Sequence, residues 1–582
     1  MNETNLPVDP AWVRDRRKPR RWYWIAAPLL ILLLNITTFL HGRPISLPDR
    51  DPDPDVEYIQ YEGETLLWKP CGELNNNALE CSTLSVPMDH FNATTPGSQS
   101  FTIALIRLRA PNATKNLLLN PGGPGASGFD LMHEHGAQLR AIVGDGFHLL
   151  SFDPRGVNNS SPAATCFPNV ESRRDLSRVR SMDLVHDSPE VFAWTGNFVR
   201  SCADTMGDYA PYANTPQTAA DMNGILDALG QEDMYYWGFS YGTILGQTYA
   251  GLFPERSKRV IIDGVADQYM WYQGSFVSES QVDADAVLDG FFGECIDAGK
   301  GGCALAALAD SKEGLRDVVF GAMQKLREQP VGVYINNTHS GLVTYDNVWY
   351  NGIFQSLYKP LTWPSLAKIL HDLIQGNATA AFLAYGHDRA LELKDDSSSV
   401  VILNDSPTGP AHWGHDRQTI LDTLLTAVNN SQFPASWSTI YYMAQQWNIP
   451  KTYTYVPKER IETAHPLLIL STSYDPVCPL IAARTAAEAF VGSRVVEIEG
   501  YGHCSIAVPS VCLAKHVRAF LYEGVLPEGD TTCQVDSPYF VPPTSDEEAM
   551  EQMRFKDEED SQIHRAQMEL ARSWDYRGSF VY

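Results

Sequence analysis

The chain has 582 residues, a hydrophobic fraction of 44% and a formal net charge of -26. That length and apolar content are ample for a large buried core, and the acidity is the wrong sign for a nucleic-acid binder. The charge balance gives a negative field and solubility instead, and no internal repeat or long low-complexity run is visible.

In chain order, Arg14, Arg16, Arg17, Lys18, Arg20 and Arg21 precede an apolar run from Trp22 to Leu40, close to the roughly 20 residues that span a bilayer. Basic residues stay cytosolic. Residues 1–21 therefore read as a cytosolic tail, 22–40 as a transmembrane signal anchor that partners the membrane, and 41–64 as a linker. A cleaved signal peptide is the competing reading, because Pro28 and Asn35 weaken the span and Gly42 is small. Either topology places the body of the protein in the secretory pathway, lumenal, extracellular or secreted.

Strand-like runs follow at Ser82 to Met88, Phe101 to Leu108 and Leu117 to Leu119, the last leading into Asn120-Pro121-Gly122-Gly123-Pro124-Gly125. Phe147 to Phe152 is the next strand and ends in Asp153-Pro154-Arg155-Gly156, a turn signal. Thr215-Pro216 opens a helix with proline in its first turn, and Ala219, Met222, Ile225, Leu226 and Leu229 share one face. The apolar run Met234 to Trp237 and the helix-like run Thr243 to Leu252 then flank Gly238-Phe239-Ser240-Tyr241-Gly242. A Gly-x-Ser-x-Gly between strand and helix is a nucleophile elbow, a strained turn that lifts the serine hydroxyl clear of the sheet.

A nucleophilic Ser240 requires three further pieces in fixed order. The glycine loop after Leu119 supplies bare backbone whose N–H groups can face the oxygen that becomes negative in acyl transfer. The strand Leu467 to Ser471 leads into Tyr474-Asp475-Pro476, which puts Asp475 at a strand's C-terminal end. Val495 to Ile498 leads into Gly500-Tyr501-Gly502-His503, and the order Ser, Asp, His is the one this arrangement uses. Asp263 and Asp267, after the strand Arg259 to Asp263, are alternative acids with a weaker context.

These segments resemble the prolyl and tripeptidyl aminopeptidase branch of the α/β-hydrolases. The likeness is carried by Asn120 to Gly128, Asp153 to Ser160, Thr215 to Asp221, Trp237 to Tyr249, Phe253-Pro254-Glu255-Arg256, Ile262-Asp263-Gly264-Val265, Tyr474-Asp475-Pro476, Gly502-His503 and the closing Cys512 with Cys533. It spans roughly residues 65 to 540 and is sparse between about 270 and 460. The resemblance implies a mostly parallel central sheet flanked by helices. Residues 65–267 and 466–540 would form that core, with a mainly helical cap at 268–465 and an acidic tail at 541–582. In such a protein Asp153 and Arg155 would brace the floor of the site, and the cap would set specificity. Trp271, Tyr272, Phe291, Phe292, Trp349, Tyr350, Trp363 and Tyr441 are the cap aromatics, each as readily core as pocket. An enzyme acting on free N-termini also needs a carboxylate for the ammonium group; Glu279, Asp283, Asp285 and Asp289 are available. The tail reads as a solvated helix or a disordered end, with a role in partner binding as the alternative.

The ten cysteines fall into neighbouring couples, Cys71 with Cys81, Cys166 with Cys202, Cys295 with Cys303 and Cys512 with Cys533, leaving Cys478 and Cys504. The last two either bridge the loops after Asp475 and His503 or remain buried thiols; threonine is usual in the resembled family where Cys478 stands. Asn92, Asn112, Asn158, Asn159, Asn336, Asn377, Asn404 and Asn429 are glycosylation candidates. No metal-ligand spacing is visible in the sequence, and the chemistry requires no cofactor. Ser240 would attack a carbonyl with His503 as base and Asp475 as its orienting acid, while the N–H groups of Gly123 and Tyr241 hold the oxyanion. The substrate is a peptide with a free N-terminus, as the resemblance implies, or alternatively a small-molecule ester, lactone or amide. A silent binding protein on the same scaffold is the remaining reading.

Overall fold

The computed structural model describes residues 57–92, 99–176, 179, 183–386, 396–429, 431–434, 438–540, 555 and 557–574. The expected anchor at 22–40 lies outside the described residues. No helix among the described residues is long and apolar enough to cross a membrane.

Ten strands form one sheet: β1 (Lys69–Leu74), β2 (Asn77–Pro87), β3 (Ser100–Leu108), β4 (Asn116–Asn120), β5 (His148–Phe152), β6 (Met234–Phe239), β7 (Ser257–Asp263), and, after a small hairpin β8 (Val331–Asn336) and β9 (His339–Val343), β10 (Leu468–Tyr474), β11 (Arg494–Tyr501) and β12 (Thr531–Gln534). The spatial order is β1-β2-β3-β5-β4-β6-β7-β10-β11-β12. The first three strands and β5 pair antiparallel, and every pairing from β5 through β12 is parallel. Sequence reasoning did not foresee β1, β12 or the hairpin, which are short or carry no apolar run.

β4, β5 and β6 are buried at every residue, as expected of parallel strands covered by helices on both faces. The period of two sorts their side chains. Leu117, Leu119, Trp237 and Phe239 join one apolar core with Leu131 and Met132 of helix α1 (Gly128–Val143). Leu118 and Tyr236 join a second core with Met222 and Ile225 of α2 (Thr215–Ala228) and Ile244 and Leu245 of α3 (Tyr241–Leu252). Each fully buried side chain of this kind contributes about 1.5–3 kcal/mol.

The cap between β7 and β10 contains α4 (Ala284–Gly302) and α5 (Ser397–Asp405), and the core closes with α6 (Leu480–Ala489) and α7 (Val511–Glu523). The tail corrects the expectation of a solvated end. Its helix α8 (Glu558–Ser573) packs on α1 and buries Ile563, His564, Leu570 and Ala571. Gln567 accepts from the Ser510 N–H at 3.2 Å and donates to the Ser510 carbonyl at 2.9 Å. Trp574, only 4% exposed, stacks on His135 at 4.9 Å and meets Phe239 edge-on at 5.2 Å. An acidic outer face concealed an apolar inner one.

Four disulfides form within the neighbouring couples: Cys71–Cys81, Cys166–Cys202, Cys295–Cys303 and Cys512–Cys533. Cys478 and Cys504 are buried and in no disulfide, so the bridge between the acid and base loops is not made. Asn92, Asn112, Asn336, Asn377 and Asn429 are exposed. Asn404 is corrected as a glycosylation candidate: it is 4% exposed and its Nδ2 donates to the carbonyls of Ala210 and Ala213 at 2.8 and 2.9 Å. The Nδ2 atoms of Asn158 and Asn159 are engaged by Asp153 at 3.2 and 3.0 Å.

Candidate active site

β6 delivers the chain into Ser240 at φ 56° and ψ -124°, a conformation that costs a non-glycine residue about 1–3 kcal/mol. The surrounding structure holds it there: the Ser240 N–H donates to the Asp263 carbonyl at 2.9 Å, and Thr243 Oγ1 donates to the Ser240 carbonyl at 2.6 Å. Glycine is obligatory at 238, where a Cβ would stand 2.5 Å from the Gly242 carbonyl oxygen. Gly122 has φ 99°, and a Cβ there would lie 2.4 Å from the Phe239 carbonyl oxygen and 2.8 Å from the Ser240 Cβ. The glycine loop is thus packed directly on the elbow.

At the far edge of the parallel strands, Asp475 follows β10 and His503 follows β11. His503 Nδ1 lies 2.9 and 2.8 Å from the two Asp475 oxygens, which leaves Nε2 to take a serine proton. Asp475 Oδ1 also accepts the N–H groups of Val477 and Cys478, and Oδ2 that of Cys504. The cap holds the base as well: His503 N–H donates to the Tyr358 carbonyl at 3.0 Å, and the two rings meet edge-on at 5.2 Å. Sequence reasoning missed Tyr358, since nothing local marks it.

The two alternative acids have other work. Asp263 accepts from Ser505 N–H and Oγ at 2.7 and 2.6 Å and from Trp237 Nε1 at 3.1 Å; burial pushes its carboxyl up to about 6. Asp267 caps the following short helix through the N–H groups of Tyr269 and Met270. Asp153 and Arg155 are structural. Asp153 gathers Ser127 Oγ, Asn158, Asn159 and the Phe129 N–H. Arg155 pairs with Asp221 through Nε and Nη2 at 2.5 and 2.7 Å.

One cap helix contacts the glycine loop and, through Thr215, the elbow. All nine residues of α5 are buried. At its start, a Cβ on Gly125 would meet Ser397 Oγ at 2.5 Å. At its end, the Asp405 carboxylate accepts the Thr215 N–H at 2.9 Å, Thr215 Oγ1 at 2.5 Å and Trp271 Nε1 at 2.9 Å. Because the Thr215 hydroxyl proton goes to Asp405, the Tyr241 hydroxyl, 2.5 Å from Thr215 Oγ1, is the donor of that pair. Burial raises the Asp405 carboxyl to about 6.

Gly123, Ser240, Tyr241 and His503 all line one cavity. Its apolar wall includes Met270, Trp271, Phe276, Tyr358, Val477 and Pro479, and two carboxylates, Asp267 and Glu279, face it as well. Burial, and then the charge of Asp267, raise the Glu279 carboxyl above its ordinary value. Of the cap aromatics singled out from sequence, Trp271 lines this cavity. Tyr272, Phe291, Phe292, Trp349, Tyr350, Trp363 and Tyr441 pack in the apolar cores. Asp283 lies near the triad acid: burial and the charge of Asp475 push its carboxyl up to about 6. Asp289 pairs with Lys312 at 3.0 Å, and Asp285 accepts the Gln432 N–H at 2.9 Å.

The strained serine, the histidine–carboxylate pair and the glycine loop at the C-terminal edge of a mostly parallel sheet define a serine hydrolase of the α/β-hydrolase class. The family profile described as alpha/beta hydrolase fold matches residues 115–285, and the one described as TAP-like protein matches residues 430–533. Serine protease Hip1 of Mycobacterium tuberculosis is 27% identical over 497 residues, covering 81% of this chain and 91% of its own. Tripeptidyl aminopeptidase of Streptomyces lividans is 24% identical over 505 residues, covering 80% and 86%. Carboxylesterase B of Mycobacterium tuberculosis is 26% identical over 545 residues, covering 88% and 99%. The chain has the α/β-hydrolase fold and is similar over most of its length to tripeptidyl-aminopeptidase-like proteins.

Proposed function

We propose that this enzyme cleaves peptide bonds near the free N-terminus of peptides through an acyl-enzyme on Ser240. His503 Nε2 takes the serine proton as the oxygen attacks the carbonyl, and Asp475 fixes the tautomer and stabilises the imidazolium. The N–H groups of Gly123 and Tyr241 receive the developing oxyanion, each such donor being worth about 3 kcal/mol. His503 then protonates the leaving amine, and water resolves the ester.

The observation that carries the peptidase reading is the pair Asp267 and Glu279 in the wall of the cavity that holds Ser240. The charge of Asp267 adds to burial in raising the Glu279 carboxyl, and an ammonium group relieves that repulsion, which suits the charged end of a peptide. The names of the Hip1 and tripeptidyl aminopeptidase relatives point the same way. The test compares one peptide series with free and with acetylated N-termini. Cleavage of the free series alone supports the proposal; equal cleavage of both rejects it. The second reading, ester hydrolysis, is favoured by the apolar remainder of the cavity and by the Carboxylesterase B relative; turnover of simple esters with no peptide cleavage would establish it.

We also place the catalytic body in the secretory pathway behind a signal anchor at 22–40. The four disulfides and the exposed sequons support that reading. Protease protection in intact vesicles tests it: digestion of the body without detergent would overturn a lumenal placement.

A further inference from the structure

The triad neighbourhood contains a thiol that the hydrolytic mechanism does not use. Cys478 lies three residues after Asp475, is 5% exposed and lines the catalytic cavity. It is in no disulfide. Its backbone N–H is tied to Asp475 Oδ1 at 2.8 Å, which fixes the loop so that the side chain stays beside the acid. The Cys478 Sγ, a ring nitrogen of His503 and a carboxylate oxygen of Asp475 all lie within 4.8 Å of one another. No sequence spacing announces this trio, because its members come from two loops about 25 residues apart.

From this geometry we infer that Cys478, His503 and Asp475 form a site for a thiophilic divalent cation, of the Zn²⁺ or Cd²⁺ class, whose binding switches the enzyme off. The donor set of one sulfur, one imidazole nitrogen and one carboxylate oxygen suits such ions, and Cys478 and His503 both line the cavity through which one would enter. Ligand atoms around a tetrahedral Zn²⁺ stand about 3.5 Å apart, so the trio forms when the Cys478 sulfur moves in and the His503–Asp475 contact, 2.8 to 2.9 Å without metal, opens slightly. Asp267 and Glu279 line the same cavity, and neither lysine nor arginine is among its lining residues. A cavity of that sign concentrates cations.

The chemistry balances without a co-reactant. The cation bonds to the sulfur, the thiol proton leaves to solvent, and no electron changes hands. His503 Nδ1, the nitrogen that faces Asp475, gives its lone pair to the metal as the proton it carried passes to Nε2. The imidazole then holds a proton on Nε2 and cannot accept the one from Ser240, and attack stops. The inference holds whether the acyl group comes from a peptide or an ester. Threonine at 478 would lack the soft ligand, so the sensitivity belongs to the cysteine.

The full chain is titrated with ZnCl₂ and, separately, CdCl₂, following turnover of a p-nitrophenyl ester, each variant normalised to its own metal-free rate. Wild type is expected to be inhibited and to recover on chelation, with Cys478→Thr requiring at least about tenfold more metal. Cys504→Ala, which alters the other cysteine outside the disulfides, is expected to titrate like wild type. Direct binding is read in Ser240→Ala, where Cd²⁺ should produce a thiolate-to-metal absorption band that Ser240→Ala/Cys478→Thr lacks. Equal inhibition of wild type and Cys478→Thr overturns the site, as does a Cd²⁺ band that survives loss of Cys478.

Discussion

Replacing Asp405 by asparagine tests whether a cap helix holds the oxyanion site in place. The side chain keeps its size but retains one acceptor where the carboxylate has two. With the amide oxygen serving Thr215 Oγ1 and Trp271 Nε1, the new Nδ2 faces the Thr215 N–H, a donor against a donor. That mismatch costs about 1–3 kcal/mol and is independent of pH. The charge contributes separately. A carboxyl raised from 3.8 to about 6 in the folded state favours folding when protonated, so its stabilisation is complete below the unfolded value and is lost as pH rises through the folded one. Relative to the protonated form, the charge costs roughly 3 kcal/mol near pH 7.5 and roughly half that near pH 5. Asparagine carries no such dependence. The stability of wild type relative to Asp405→Asn should therefore be greater near pH 5 than near pH 7.5, by about 1 to 2 kcal/mol. Comparing the two proteins at each pH cancels the titrating groups not coupled to Asp405, including His148 and His564, which burial depresses to about 4 and which act in the opposite direction. Urea unfolding at both values measures the difference. Displacement of Tyr241 should also slow labelling of Ser240 by a fluorophosphonate roughly tenfold. A pH-independent stability difference together with an unchanged labelling rate would refute the brace.

Trp574→Ala removes a buried indole from between His135 and Phe239 and should cost about 3–5 kcal/mol, read as a lower urea midpoint; no change would return the tail to a solvated role. Glu279→Gln should raise KM about tenfold or more for peptides with a free N-terminus, while esters are unaffected. In wild type that KM should rise as pH falls, because the raised Glu279 carboxyl protonates first and loses its hold on the ammonium; a KM flat with pH would argue against it. In glycopeptide mass spectrometry of protein from a eukaryotic secretory host, Asn336 and Asn377 should be occupied and Asn404 bare, since its amide is buried against two carbonyls.

The features legible in the sequence are those in which local chemistry dictates local shape. Gly238-Phe239-Ser240-Tyr241-Gly242 announced the elbow because its glycines admit two backbones at contact distance, and Asp475 and His503 were readable because each follows an apolar strand. The missed residues act across the chain. Tyr358 reaches His503 over 145 positions, and Asp405 reaches Thr215 over 190; no periodicity encodes either meeting. Glu279 was one of four cap carboxylates until folding set it in the cavity wall with Asp267. The tail was misread because its charged residues outnumber the Ile563, Leu570 and Trp574 that bury it.

The central claim is that Ser240 is a nucleophile activated by His503 and Asp475. Intact-mass and peptide mapping after exposure to a fluorophosphonate tests it most directly. The account predicts one adduct, on Ser240, absent from Ser240→Ala and about 10⁴-fold slower to form in Asp475→Asn. An adduct on another residue, or labelling of Ser240 at the wild-type rate in Asp475→Asn, would contradict it.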